Sequence, residues 1–246
     1  MKVSKIVNPA TEISRKVMNL WLKKCGAVIV AAGSASRMAG KDKIMELVGG
    51  EPLIVKTARA FQRCDAIAEI VIVTREDLVV PIMGLVRNMD KVKAVVVGGK
   101  DRVESVCLGL NALSQDVKLA AIHDGARPLV TWQLIDRVVR AAHAYGAAAP
   151  GVPVKDTVKI VAGGVVKSTP DRKTLQAIQT PQVFDYDLLR GALKQARDED
   201  AQITDDCSAV ERLGMSVKIV EGDERNLKVT TPMDLEIVRL LWEEQP

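Results

Sequence analysis

The sequence predicts an α/β protein built on a Rossmann-like, mainly parallel sheet flanked by helices. Three observations carry that expectation. From Ala27 onward, short β-rich apolar runs alternate with helical patterns, the order of successive βα units with right-handed crossovers. Apolar residues make up 48% of the 246, yet aromatics only 3%, so the apolar set is mostly Ala, Val, Ile and Leu. That mix suits buried parallel strands under Ala-rich helices and suits an aromatic-rich β-sandwich poorly. Finally, small or turn-forming residues follow several strands, notably at Gly98-Gly99 and Asp124-Gly125.

The elements follow in order. Residues 1–24 read as a basic helical extension: Thr11 is a candidate cap, and Ile13, Val17, Leu20, Trp21 and Lys24 recur at helical spacing. It lacks the apolar core of a signal peptide, and Trp21 and Leu22 suggest docking on the domain or a partner subunit. Residues 25–246 read as one domain. Ala27–Ala32 is a buried strand and Pro52–Cys64 a helix with proline in its first turn. Strands over 70–74, 94–97 and 120–123 alternate with helices over 77–89, 102–113 and 132–145, the last capped by Thr131 and stopped by Gly146. Residues 157–168 carry a Gly163-Gly164 turn between β-rich arms, a hairpin signal. An isolated hairpin is marginal in water, so this arm (about 155–173) should lie on its own sheet or on another subunit. Then come a strand-like segment over 175–184, helices over 186–197 and 205–213, a strand over 216–220 and a final helix opening at Thr231-Pro232.

Composition excludes several classes. No run approaches the ~18 consecutive apolar residues of a membrane helix. The apolar stretch 141–154 is broken by Gly146, Pro150, Gly151 and Pro153. The net charge is +4, but residues 1–24 hold six basic side chains against Glu12, leaving the rest near −1. No basic globular domain asks for nucleic acid, and stacking platforms are few. Cys25, Cys64, Cys107 and Cys207 are widely spaced without a Cys-x-x-Cys pair, which points to reduced cytoplasmic thiols rather than zinc or disulfides.

In open α/β sheets, ligands bind beyond the carboxyl ends of the strands. The first strand runs into Ala31-Ala32-Gly33-Ser34-Ala35-Ser36-Arg37-Met38. Small residues let backbone N–H groups approach a phosphate, and Arg37 with Lys41 or Lys43 would bring positive charge to it. An ordinary small-residue turn with solvated cations fits the same residues equally well. Neither a Walker A loop nor Gly-x-Gly-x-x-Gly is present. Gly98-Gly99 precedes a helix that carries Ser105 in its first turn. Asp124 closes the fourth strand, where it would meet a ribose hydroxyl or a metal ion, or pair with Arg127 in a tight turn. His123 reads as a satisfied, partly buried histidine and His143 as a helix-surface residue.

Read together, these motifs resemble the 2-C-methyl-D-erythritol 4-phosphate cytidylyltransferase family. The resemblance rests on Ala31-Ala32-Gly33 with Arg37-Met38 and Lys43, on Gly98-Gly99-x-x-Arg102-x-x-Ser105-Val106, and on His123-Asp124-x-Ala126-Arg127-Pro128. It continues through Pro153-Val154-Lys155-Asp156-Thr157, Thr180-Pro181-Gln182-x-Phe184, Ile203-Thr204-Asp205-Asp206, Glu221-Gly222 and Asn226-x-Lys228-Val229-Thr230. The motifs keep the family's order and span residues 27–236. Two departures stand out: Ala35 replaces the second Gly of the first loop, and Asp42-Lys43-Ile44 replaces the common Pro-Lys-Gln.

The resemblance implies that CTP and methylerythritol phosphate become CDP-methylerythritol and pyrophosphate, with Mg²⁺ required. By motif position, Arg37 and Lys43 match the catalytic cations. Ala31, Ala32, Gly33, Gly99, Ser105, Asp124 and Ala126 match nucleotide-binding positions. Arg172, Lys228 and Thr204 match substrate-binding positions, while Thr157 and Arg127 match positions that reach the substrate from a neighbouring subunit. The resemblance thus implies a homodimer that exchanges the hairpin arm. No protein side chain is firmly implied as a metal ligand, Asp124 being the candidate. The chain ends soon after the final helix, so a fused next pathway enzyme is not expected. Two rivals remain at this level: a ribitol-5-phosphate cytidylyltransferase and a non-catalytic nucleotide-binding regulatory module.

Overall fold

A computed structural model describes residues 23–33 and 42–243. The predicted N-terminal helix therefore lies almost wholly outside the described residues. The first strand, β1 (Cys25–Ala31), lies in the interior of the main sheet. It pairs in parallel with β4 (Ile67–Thr74) on one side and β6 (Leu119–Asp124) on the other. β5 (Val92–Val97) extends the parallel half beyond β4. Along β1, Ala27, Ile29 and Ala31 enter one core and Val28 the other. With both faces covered, β1 and β4 read as nearly continuous apolar runs rather than alternating ones.

Helices fill both faces. α1 (Leu53–Gln62), α2 (Glu76–Val86) and α4 (Trp132–Tyr145) cover one side with Ile54, Ala58, Phe61, Ile82, Leu134 and Val138. α3 (Arg102–Ala112), α5 (Tyr186–Asp198) and α6 (Asp206–Glu211) cover the other with Val106, Leu110, Leu189, Leu193 and Val210. Burying one such side chain contributes about 1.5–3 kcal/mol. Local signals set the helix ends. Thr131 accepts from Leu134 N (3.3 Å), and Gly146 stops α4 at φ +83°. A third, smaller core joins α7 (Pro232–Glu243) to Val48, Leu53 and Ala126 through Leu235 and Val238. No described helix is long and apolar enough to cross a membrane.

The second half of the sheet is mixed. β7 (Ala147–Pro153) pairs antiparallel with β10 (Gln176–Ile178) and β11 (Gln182–Asp185), and in parallel with β12 (Lys218–Glu221). β11 joins the halves by pairing antiparallel with β6. β7 escaped the sequence pattern because Pro150 and Gly151 interrupt it. Pro150 forfeits one donor, but its carbonyl still accepts from Gln179 N (2.8 Å). The expected single strand over 175–184 is two strands, separated by residues that include the cis Thr180–Pro181 bond. Two short strands, β2 (Leu47–Val48) and β3 (Glu51–Pro52), were not expected either.

The hairpin is present as β8 (Ile160–Ala162) and β9 (Val165–Ser168). Gly163 (φ +58°) and Gly164 (φ +77°) supply the two positive φ angles of a type I′ turn. The arm forms a sheet of its own and leaves Ile160, Val161, Val165 and Val166 more than half exposed.

Two helical glycines separate propensity from packing. At Gly109 in α3, an added Cβ would sit 2.3 Å from Val28 Cγ1, a buried β-branched side chain with little freedom to move. At Gly191 in α5, nothing lies within 4 Å of such an atom. Gly191→Ala should raise unfolding free energy by about 0.5–1 kcal/mol. Gly109→Ala should lower it by about 1–2 kcal/mol, because overpacking outweighs helix propensity. Urea unfolding of the two variants checks the opposite signs.

Candidate active site

The chain runs from β1 outward through β4 to β5, then returns to lay β6 on the other side of β1. Beyond the carboxyl ends of β1 and β6 lies the crevice that this reversal of direction opens. A cleft of about 440 Å³ occupies that place, within the range of small-ligand sites. Ala31, Ala32 and Gly33 form one wall, Gly99 and Ser105 a second, and Asp124 and Ala126 the floor; Lys43 and Lys228 also line it.

The walls are close because their residues are small. A Cβ on Gly98 would lie 2.4 Å from Ala32 Cβ, so only glycine lets the β5 loop approach the β1 loop. Ser105 Oγ then pins the turn, accepting from Gly99 N (3.1 Å) and donating to the Asp101 carbonyl (2.7 Å). Asp101 caps α3 by accepting from Glu104 N (2.8 Å). The first-turn N–H groups of a helix are a ready partner for anions, and α3 begins at the cleft wall.

Charge in the cleft is mainly positive. Lys43, Lys100, Arg102 and Lys228 line it against Asp101 and Asp124. Lys43 opens a short 3-10 turn (Lys43–Met45) after Asp42, whose carboxylate accepts from Ile44 N (3.3 Å) and pairs with Arg75 beyond β4. Arg102 was quoted in the motif but not singled out by sequence reasoning. Its guanidinium reaches the fully buried Asp206 (2.6 Å). Burial works against its charge, but Asp206 first, then Asp124 and Asp205, hold it firmly ionised.

Asp124 is the focus of the floor. Arg127 Nε (3.1 Å) and Lys228 Nζ (3.2 Å) both meet its Oδ2. Burial alone would push this carboxyl up, but Lys228, Arg127 and Arg102 hold it well below the ordinary carboxylate range. Arg127 also donates to the Asn226 carbonyl (2.7 Å) and is 9% exposed. Its Nε and Nη1 are thus both engaged within its own chain.

The other expected residues are dispersed. Arg37 and Lys41 lie outside the described residues. Thr157 is exposed on the arm, and exposed Arg172 donates to the Lys155 carbonyl there (2.7 Å). Thr204 is exposed just before α6, its N–H on Ser208 Oγ (3.2 Å). None of these three lines the cleft of its own chain.

Parallel strands converging on a cationic, glycine-walled cleft at the switch point mark a protein that handles nucleotide phosphates. The protein comparisons narrow that class to nucleotidyltransferases. The family model for 2-C-methyl-D-erythritol 4-phosphate cytidylyltransferase matches residues 25–244. A protein of that name from Caldanaerobacter subterraneus is 42% identical over 87% of this chain and 96% of its own length. Another, from Halalkalibacterium halodurans, is 45% identical over 85% and 92%. The crystal structure of 4-diphosphocytidyl-2C-methyl-D-erythritol synthase from Anaerococcus prevotii superposes with a TM-score of 0.82 at 30% identity, covering 90% of this chain and 97% of that one. That of the cytidylyltransferase from Thermus thermophilus gives 0.74 at 33%, over 88% and 98%. The chain belongs to the 2-C-methyl-D-erythritol 4-phosphate cytidylyltransferase family.

Behind the floor, His123 is fully buried, not partly so as the sequence suggested. Its Nδ1 meets Thr180 Oγ1 (3.0 Å), its ring packs on Phe61 (centroids 4.9 Å apart), and Nε2 has no partner. Burial pushes its pKa down to about 3. The unfolded chain therefore binds a proton between pH 6.5 and 3 that the folded chain refuses, and stability falls on acidification through that window. From pH 7 to pH 5 the loss from this residue is about 2 kcal/mol. Urea unfolding at the two pH values should show that loss in the wild type and little of it in His123→Asn.

Proposed function

We propose that this cleft is where the chain joins CTP to 2-C-methyl-D-erythritol 4-phosphate, giving CDP-methylerythritol and pyrophosphate. The carrying observation is the gathering of Lys43, Arg102, Lys228 and the Gly98-Gly99 turn around Asp124 at one switch point. In the reaction, a phosphate oxygen of the acceptor attacks the α-phosphorus of CTP. The new P–O bond forms as the bond to the bridging oxygen breaks, and pyrophosphate leaves with that electron pair. Two anions must meet while charge grows on the leaving group, so catalysis depends on positioning and positive charge.

The chain's residues divide this work. The backbone of Ala31, Ala32, Gly33 and Gly99, with Ser105 fixing the turn, holds the nucleotide. Lys43 and Arg37 stabilise charge developing on the phosphates. Asp124 and Ala126 meet the ribose side of CTP, and Lys228 leaves Asp124 for the acceptor phosphate. Arg172, Thr157 and Thr204 complete the acceptor site, Arg172 and Thr157 from the arm of a second copy. Arg127 acts on Asp124 within its own chain.

Mg²⁺ fits this site as a companion of CTP rather than as a caged ion. Among the described residues, no three His, Cys, Asp or Glu side chains gather as a metal cluster. Asp124, held ionised at the floor, suits a hard cation that binds through one or two carboxylates and substrate phosphates. When bound, Mg²⁺ neutralises charge on the triphosphate and on the leaving pyrophosphate. The reaction is placed in the cytoplasm, a reading supported by four free cysteines.

Pyrophosphate release from CTP and Mg²⁺, measured with methylerythritol phosphate and ribitol 5-phosphate in parallel, tests the acceptor. Release with methylerythritol phosphate alone is expected; release with ribitol 5-phosphate alone would overturn it. Lys228→Ala should cost about 30- to 100-fold in kcat/KM for the acceptor, the worth of one charged hydrogen bond.

The arm supports a homodimer, since its exposed apolar side chains have no cover among the described residues. Sedimentation of wild type should give a dimer, and Ile160→Asp with Val166→Asp should shift it to monomer. A wild-type monomer at micromolar concentration would sink the arm-exchange reading.

A further inference from the structure

Asn226 is fully buried next to the cleft without lining it. Its Nδ2 donates to the Thr180 carbonyl (2.9 Å), with a longer contact to Gln179 Oε1 (3.4 Å). The main-chain carbonyl of Asn226 accepts from Arg127 Nη1 (2.7 Å), and Arg127 Nε holds Asp124 Oδ2. Thr180 meets Asp124 from behind, because Asp124 N donates to Thr180 Oγ1 (3.1 Å). Lys228, two residues along from Asn226, reaches the same Asp124 oxygen. A single asparagine thus ties together the end of β6, the connection before β11 and the loop that carries Lys228.

Packing alone does not explain the choice of residue. Asn226 Oδ1 is buried with no partner. Such an atom costs free energy that an apolar side chain of similar volume would avoid. What the carboxamide adds is the N–H that holds the Thr180 carbonyl.

We propose that Asn226 is a positioning residue for cytidylyl transfer, placing Lys228 against Asp124 without touching substrate. The inference rests on the role given to Lys228 above. Lys228 must pass from Asp124 to an incoming phosphate, and misplacement by an ångström can cost about a hundredfold in rate. The Thr180 tether fixes where that exchange begins.

The test is a double-mutant cycle on the full chain, with CTP, Mg²⁺ and methylerythritol phosphate. The enzymes are wild type, Asn226→Ser, Lys228→Ala and the double variant, each with a thermal unfolding curve. Asn226→Ser should lower kcat/KM for the acceptor by about 10- to 100-fold while KM for CTP moves by less than about threefold. In the Lys228→Ala background, the loss from Asn226→Ser should shrink to about threefold or less. Equal losses in both backgrounds mean a general structural role and overturn the inference. So does an Asn226→Ser enzyme within about twofold of wild type while Lys228→Ala is impaired. A fully active Lys228→Ala removes the site assignment itself, and the inference with it. If Asn226→Ser does not fold, Asn226→Asp enters the same cycle, keeping the volume and losing the N–H donors.

Discussion

β1 is covered on both faces and hydrogen-bonded along both edges, so the origin of the loop at its carboxyl end is firmly held. Everything at the cleft takes its position from that constraint. The loop after β1 must emerge between the loops after β5 and β6. Gly98 allows the first pair to close, with room for no Cβ against Ala32. Gly125 allows the second, its N–H on the Val30 carbonyl (2.8 Å) and its Cα facing Ala31. Large side chains at these points would separate the walls and take the backbone N–H groups out of reach of a ligand.

Electrostatics then gives this frame its charge. A buried carboxylate is costly unless it is paired. Asp124 is paired twice at one oxygen, and Arg102 adds a third positive field. The arrangement resolves two needs at once. It keeps Asp124 ionised in a nearly buried place, and it holds Lys228 against that carboxylate at the cleft. Lys228 remains partly exposed while Arg127 is buried, so one of the two cations is free to change partner and the other is not. The second cationic anchor, Arg102, is fixed from the far side by Asp206 at the start of α6. Residues far apart in sequence therefore share one charge balance.

How much of this was legible beforehand depended on the kind of signal. The parallel half was readable because strands buried on both faces appear as apolar runs, and α4 carried both its Thr131 cap and its Gly146 stop. The mixed half was harder. β7 contains Pro150 and Gly151, and its partners come from three later segments, so its strand character is set by pairing rather than by local preference. At the site, the small-residue loops and Asp124 stood out as turn chemistry at strand ends. Arg102 carried a weaker signal, a basic residue after Gly98-Gly99, and its importance appears only once Asp206 is beside it. His123 gave no hint of complete burial, because a single histidine at a strand end has no pattern from which depth can be read.

By itself the sequence determined the order of βα units, the turn at Gly163-Gly164 and the small residues and cations that follow the strands. These are local properties, fixed by periodicity, φ preference and charge within a few residues. The motif set extended that reading to a family. Only the tertiary structure decided which of those residues meet. Asp124 and Lys228 are separated by about a hundred residues, yet share a contact of 3.2 Å, because sheet order, not sequence distance, brings strand ends together. It also left Arg172 and Thr157 away from the cleft of their own chain, since the hairpin strands of the arm pair with each other and not, among the described residues, with the central sheet. Long-range pairing and burial depend on the whole set of contacts at once, and no window of sequence contains them.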